Sequence, residues 1–253
     1  MTDHILIEHP ESAPGVQVIR LNRPEKKNAL TRGMYQAMTD ALKAGDADEG
    51  VRATLFLGSE GCFSAGNDMN DFLAFAMGGT MGGEVIAFLH ALAGHAKPLV
   101  SGVDGLAIGI GTTIHLHCDL TYASIRTEFK TPFVDLALVP EAASSLLAPR
   151  LMGHQRAFAL LAAGDGFSAT AARDAGLIYA VVEPAAVEEQ ALTAARRLAA
   201  KPPKALSIAR SLIRGDRTDV VARIDEEAAH FSAQLKSPEA RAAFEAFMAR
   251  GKG

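Results

Sequence analysis

Two stretches of small residues offer chemistry through their backbone. Phe63-Ser64-Ala65-Gly66-Asn67-Asp68 follows a short apolar run at Ala53–Leu57. Its small side chains let a ligand approach the main chain, and Gly66 permits a positive φ. A strand ending in such a loop presents N–H groups at the carboxyl edge of a sheet, where α/β folds bind ligands. The second stretch, Val103-Asp104-Gly105-Leu106-Ala107-Ile108-Gly109-Ile110-Gly111-Thr112-Thr113, runs into a helix. Its glycines leave the first helical N–H groups unencumbered, and those donors with the helix dipole favour an oxygen carrying negative charge. The spacing does not match the G-x-G-x-x-G dinucleotide pattern. Taken singly, each stretch has a plainer reading: a loop that turns the chain, or glycines that let a helix pack closely.

The elements that must position these stretches alternate. Strands are expected at Ile5–Glu8, Val16–Leu21, Ala53–Leu57, Leu99–Val103 and Leu120–Ser124. Thr31 reads as the N-cap of a helix to about Lys43, with Met34, Met38, Ala41 and Leu42 on one face. The glycine-rich 78–83 precedes a helix from Glu84 to about His95, and Thr112 to about His117 reads as helical. Strands alternating with helices imply an α/β core. From Ala142 onward the chain reads as helix near 142–152, 154–163, 168–175, 185–200, 203–214, 218–235 and 238–250, broken by a strand at 178–182. Leucine–alanine helices of this kind pack on something larger, another subunit included.

Composition bounds the function. The 253 residues are 49% hydrophobic and 21% charged, enough apolar material for a sizeable core. A net charge of −4 gives no general attraction to nucleic acid or to an anionic membrane. Cys62 and Cys118 lie far apart, which argues against a disulfide framework or a cysteine metal site and for a reducing compartment. His115 and His117, at i,i+2, do not share a helical face, so no metal is expected there. With no secretory pattern at the N-terminus and no apolar stretch of spanning length, a cytoplasmic enzyme is the expectation.

Together the stretches are far more specific. F-S-A-G-N-D, then K-P-L-V-S-G-V-D-G-L-A-I-G-I-G, then C-D-L-T-Y-A-S resembles the crotonase, or enoyl-CoA hydratase/isomerase, superfamily. The likeness extends outward: Leu21 to Leu30 is similar to the family's early CoA-binding turn, and Phe129 to Glu141 to its active-site loop. It covers essentially the whole chain. The resemblance implies an α/β spiral of β-β-α repeats at residues 1–195 and a helical C-terminal trimerisation region at 196–253. It implies an acyl-CoA thioester substrate, no cofactor beyond the coenzyme A of that substrate, and a homotrimer or dimer of trimers. It assigns the two oxyanion-hole amides to Ala65 and Ile110. Substrate contacts are expected from Lys26, Ala29, Ser64, Gly66, Asn67, Asp68, Met69, Gly109 and Phe133, and Arg23 and Lys27 are further candidates for the CoA phosphates.

Removing a proton α to a thioester throws negative charge onto the carbonyl oxygen, so fixed donors there and a base over the α-carbon are the parts required. Hydratases of the family use two glutamates, and the aligned positions here are Thr113 and Phe133, neither of which titrates usefully. One carboxylate stands nearby. The run T-P-F-x-x-L-x-x-x-P-E-x-x-S-S, ending just after Glu141, is similar to the peroxisomal-type Δ3,Δ2-enoyl-CoA isomerases, whose catalytic glutamate occupies this position. Isomerisation needs a single base, which takes the proton from C2 and returns it at C4. The competing role for Glu141 is stabilisation of the helix that follows. Asp135 is the reserve base, whereas Asp68 and Asp71 read as organisers of their loop. Phe72, Phe75 and Phe88 read as core or acyl-tunnel residues.

Overall fold

The computed structural model describes residues 3–71 and 82–250, so Phe72, Phe75, Lys252 and positions 78–81 lie outside the described residues. The long apolar strands build one sheet. β1 (Ile5–Glu8), β2 (Val16–Leu21), β3 (Ala53–Leu57), β5 (Leu99–Val103), β7 (Leu120–Ser124) and β10 (Ala180–Val182) form six strands in that order. Only β1 pairs antiparallel, with β2; the rest are parallel. β3 and β5 are buried along their whole length, as strands covered on both faces must be.

A second sheet was not apparent in the sequence. After β3, β5 and β7 the chain turns and contributes a short strand: β4 (Cys62–Ser64), β6 (Leu106–Ile108) and β8 (Glu128–Lys130) pair in parallel, and β9 (Phe167–Ser168) closes the edge. Three of these strands fall in segments expected to be loop. The pattern is long strand, short strand, helix, repeated and stacked, as expected of a crotonase-like fold.

Between the strands lie α1 (Arg32–Ala47), α2 (Gly83–Gly94) and the one-turn α3 (Ile110–Thr113). The Thr31 hydroxyl accepts the Met34 N–H at the start of α1, whose Met34, Met38, Ala41 and Leu42 are buried as expected. α3 begins two residues before the expected start, at Ile110, because Gly109 at φ 57° serves as its N-cap.

Then follow α4 (Ser144–Met152), α5 (His154–Leu161), α6 (Ala169–Asp174), α7 (Val187–Ala199), α8 (Pro203–Arg214), α9 (Thr218–Leu235) and α10 (Pro238–Arg250). α7 lays Ala191, Ala194, Ala195 and Ala199 on Val16, Leu55, Leu57 and Val100 of the large sheet. The expected boundary at 195/196 therefore falls inside a helix that packs on the sheet. Ile224 and Phe231 of α9 and Phe244 of α10 belong to the main core with Ile19, Phe56 and Val103. α8 packs differently: Ile208, Leu212 and Ile213 are 52%, 78% and 85% exposed.

Candidate active site

The short strands decide where the two small-residue loops go. β4 pairs with β6 through Cys62–Leu106 and Ser64–Ala107, so residues 65–67 and 109–111 leave the sheet side by side. Contact is too close for side chains: a Cβ on Gly66 (φ 90°) would stand 3.1 Å from the Ile108 carbonyl oxygen, and one on Gly111 would stand 2.8 Å from that of Ser64. The loops thus meet backbone to backbone.

Their amides are not equivalent. The Ala65 N–H donates to the Lys27 carbonyl at 2.9 Å. That bond ties the loop to the 23–28 turn and removes Ala65 as an oxyanion donor, correcting the sequence assignment. Gly66 N–H donates to the Ser64 hydroxyl at 3.1 Å, and Asp68 N–H to the Leu30 carbonyl at 2.9 Å. Only the Asn67 N–H of this run finds no acceptor among the described residues. Ile110, first residue of α3, likewise has no acceptor there, since the turn's bonds to Gly109 come from Thr112 and Thr113. Gly66 was the available signal: a residue at φ 90° redirects the chain, so the amide after it faces a different way from the amide before it.

Both residues line one cavity of about 270 Å³, together with Ala29, Ala65, Gly66, Met69, Ile108, Gly109, Pro132, Phe133, Leu136, Leu138, Phe231 and Phe244. Eight of the expected site residues share this lining: Ala29, Ala65, Gly66, Asn67, Met69, Gly109, Ile110 and Phe133. Phe231 and Phe244 come from α9 and α10 and were read from the sequence only as helix. Tyr35 was also missed. Fully buried in α1, its hydroxyl donates to Asn67 Oδ1 at 2.5 Å and fixes that side chain.

Three expected contacts lie elsewhere. Ser64 is fully buried, its hydroxyl given to the Asn28 carbonyl at 2.9 Å, so it shapes the loop rather than the cavity wall. Lys26 is exposed on the turn at Pro24–Lys26. Asp68 binds Arg23 Nη1 at 2.6 Å and the Asn70 N–H at 2.9 Å, and Arg23 also holds the Ala29 carbonyl at 2.9 Å. Arg23 is thereby a strut rather than a phosphate contact, and its charge helps hold the Asp68 carboxyl below the usual range although burial opposes this. Arg23→Ala is expected to destabilise the fold by about 2 kcal/mol, the scale of a charged hydrogen bond, read as a lower urea midpoint. Asp71 similarly accepts the Arg32 N–H at 2.9 Å.

Glu141 is 4% exposed and is not part of the cavity lining, but its neighbours in chain and space flank lining residues. It follows Leu138 by three residues. Its Oε1 accepts the Thr113 hydroxyl at 2.5 Å, one turn after Ile110. Its charge also acts on Tyr35, the partner of Asn67. Burial pushes the Glu141 carboxyl up to about 8; the Thr113 hydroxyl opposes the shift and the Glu227 charge adds to it. Asp135, the reserve acid, is exposed on the 3-10 turn Val134–Leu136. His115 lies between the Phe63 and Phe129 rings, and His117 faces the Ala142 carbonyl at 2.8 Å. Phe88 is core.

The sequence pattern described as enoyl-CoA hydratase/isomerase matches residues 11–253. The chain belongs to this family. It is 36% identical over 222 residues to rat enoyl-CoA delta isomerase 2, a match covering 85% of this chain and 56% of the rat protein. It is 30% identical to 1,2-epoxyphenylacetyl-CoA isomerase of Escherichia coli K12, covering 97% of this chain and 95% of that one. Among solved structures, Pseudomonas aeruginosa OdaA superposes with a TM-score of 0.92 at 41% identity, over 98% of this chain and 99% of that chain. Among the described residues, no helix is long and apolar enough to cross a membrane.

Proposed function

We propose that this enoyl-CoA hydratase/isomerase moves a 3-enoyl-CoA double bond into conjugation, with Glu141 as the single base. The observation that carries the reading is the buried Glu141 carboxyl, held by the Thr113 hydroxyl one turn after the cavity-lining Ile110, in a site whose two hydratase positions are Thr113 and Phe133. The thioester oxygen rests on the N–H groups of Asn67 and Ile110, which hold the negative charge as the C2 proton leaves. Glu141 takes that proton and returns it at C4, so no water needs activating. Phe133 and Leu138 give the acyl chain an apolar wall. Lys26, exposed on its turn, meets the CoA phosphates in this reading, and coenzyme A enters only as part of the substrate. The rat relative's name, a delta isomerase, agrees with this chemistry. The exposed Ile208, Leu212 and Ile213 of α8 support the expected association into trimers.

The test is product analysis with 3-enoyl- and 2-enoyl-CoA esters in deuterated water. Deuterium exchange and conversion of the 3-enoyl ester support the reading; hydration of the 2-enoyl ester without isomerisation overturns it. A base must be ionised, so kcat/KM is expected to rise with pH through an apparent pKa of about 8, the Glu141 value in the free protein. A flat profile between pH 6 and pH 9 would remove Glu141 from the reaction.

A further inference from the structure

The chain after Glu141 is held in an unusual shape. Ala142 and Ala143 both adopt left-handed backbone, at φ 60° and 54°. Residues with a Cβ avoid this region at a cost of about 1–2 kcal/mol each, so something outside the turn must hold it. Ala143 sits at the N-cap of α4 and has no side chain able to cap it.

The caps come from two distant elements. His117 Nε2 faces the Ala142 carbonyl at 2.8 Å, and burial keeps that histidine neutral, its pKa lowered to about 3. Arg217 Nη2 approaches its other ring nitrogen at 3.1 Å. Glu227, 5% exposed on α9, caps the start of α4 on either side of Ser144, whose own N–H goes to the Glu141 carbonyl at 3.0 Å. Its Oε2 accepts the Ala143 N–H at 2.6 Å, and its Oε1 accepts the Ser145 N–H at 3.0 Å and the Ser145 hydroxyl at 2.5 Å. A carboxylate at a helix N-terminus satisfies amides that have no intrahelical partner.

We propose that Glu227 is a positioning residue for Glu141, fixing through Ala143 and Ser145 the left-handed pair that aims the Glu141 carboxyl. The inference rests on Glu141 being the base. It explains why a second buried carboxylate, bound to the backbone two residues after Glu141, takes up no proton-transfer role: both its oxygens are already occupied by Ala143 and Ser145. The charge of Glu227 raises the Glu141 pKa, and Glu227's own is raised by burial and restrained by the Ser145 and Ala143 donors and by Arg223. The other titratable groups facing this corner are neutral His117 with Arg217 behind it, and Tyr35 on the Glu141 side; His90 pairs with Asp225 on the exposed side of α9.

The experiment compares wild type, Glu227→Gln, Glu227→Asp and Glu141→Gln by kcat, by the pH profile of kcat/KM and by Tm. Glu227→Gln removes the charge and turns one donor toward an amide, so kcat is expected to fall about ten-fold. Its rising limb is expected to move about one pH unit lower. Glu227→Asp keeps the charge but is one methylene too short to hold both amides, so kcat falls while the limb stays. Loss of Tm in Glu227→Gln with kcat and limb both at wild-type values overturns the inference. If Glu227→Gln does not fold, wild-type kcat in Glu227→Asp overturns it equally. A limb that survives in Glu141→Gln instead overturns the identity of the base, a separate failure.

Discussion

Glu141→Gln is expected to lower kcat for 3-enoyl-CoA isomerisation by about 10³-fold, within the range a positioned acid–base group supplies. Acyl-CoA affinity should change little, because the glutamine keeps the shape and still accepts the Thr113 hydroxyl. The same variant carries a signature in stability. Glu141 is raised in the folded state to about 8, so its protonated form is the one the fold prefers. Its contribution is complete below the ordinary carboxyl value and is lost as pH rises through about 8. Wild type should therefore lose stability in urea titrations between roughly pH 5 and 9, and Glu141→Gln should lose less over that span. Equal slopes in the two proteins would mean that the carboxyl is not buried as described, and wild-type turnover in the variant would dismiss it as the base.

Amide-to-ester replacement separates the donors that matter from the one that does not. Removing the N–H of Ile110 or of Asn67 should each lower kcat by about 10²–10³-fold, the usual cost of one oxyanion donor, with normal Tm. The same replacement at Ala65 should instead cost about 1 kcal/mol of stability, since that N–H holds the Lys27 carbonyl, and leave kcat within a few-fold. The reverse pattern, with Ala65 critical for turnover and Asn67 silent, would restore the assignment made from motif position. Side-chain variants cannot make this distinction, because the chemistry belongs to the main chain.

What could be read in the sequence follows from length and repetition. β2, β3, β5 and β7 are five- or six-residue strands rich in apolar and β-branched residues and stand out. β4, β6 and β8 have three residues each and lie beside glycines and polar residues, so no periodicity announces them. Yet these strands bring the two loops together. The motifs located the loops, Glu141 and most of the lining. They misassigned Ala65 because a motif orders residues along the chain, whereas hydrogen bonding to the 23–28 turn decides which amide is left over. Glu227 was out of reach, since it acts on Ala143 from 84 positions away and looks like any acid on an amphipathic helix.

The last helices carry a consequence for biosynthesis. Phe231, Phe244 and Glu227 are contributed after every other described part of the site has been made. A nascent chain still lacking α9 and α10 leaves the cavity without two of its walls and the start of α4 without its cap. Such an intermediate exposes apolar core to solvent or to chaperones, and competence arrives only once α9 and α10 have been made. Order of synthesis thus acts as a check on completeness: a prematurely released polypeptide holds the small-residue loops and the buried acid but not the scaffold that keeps them in register.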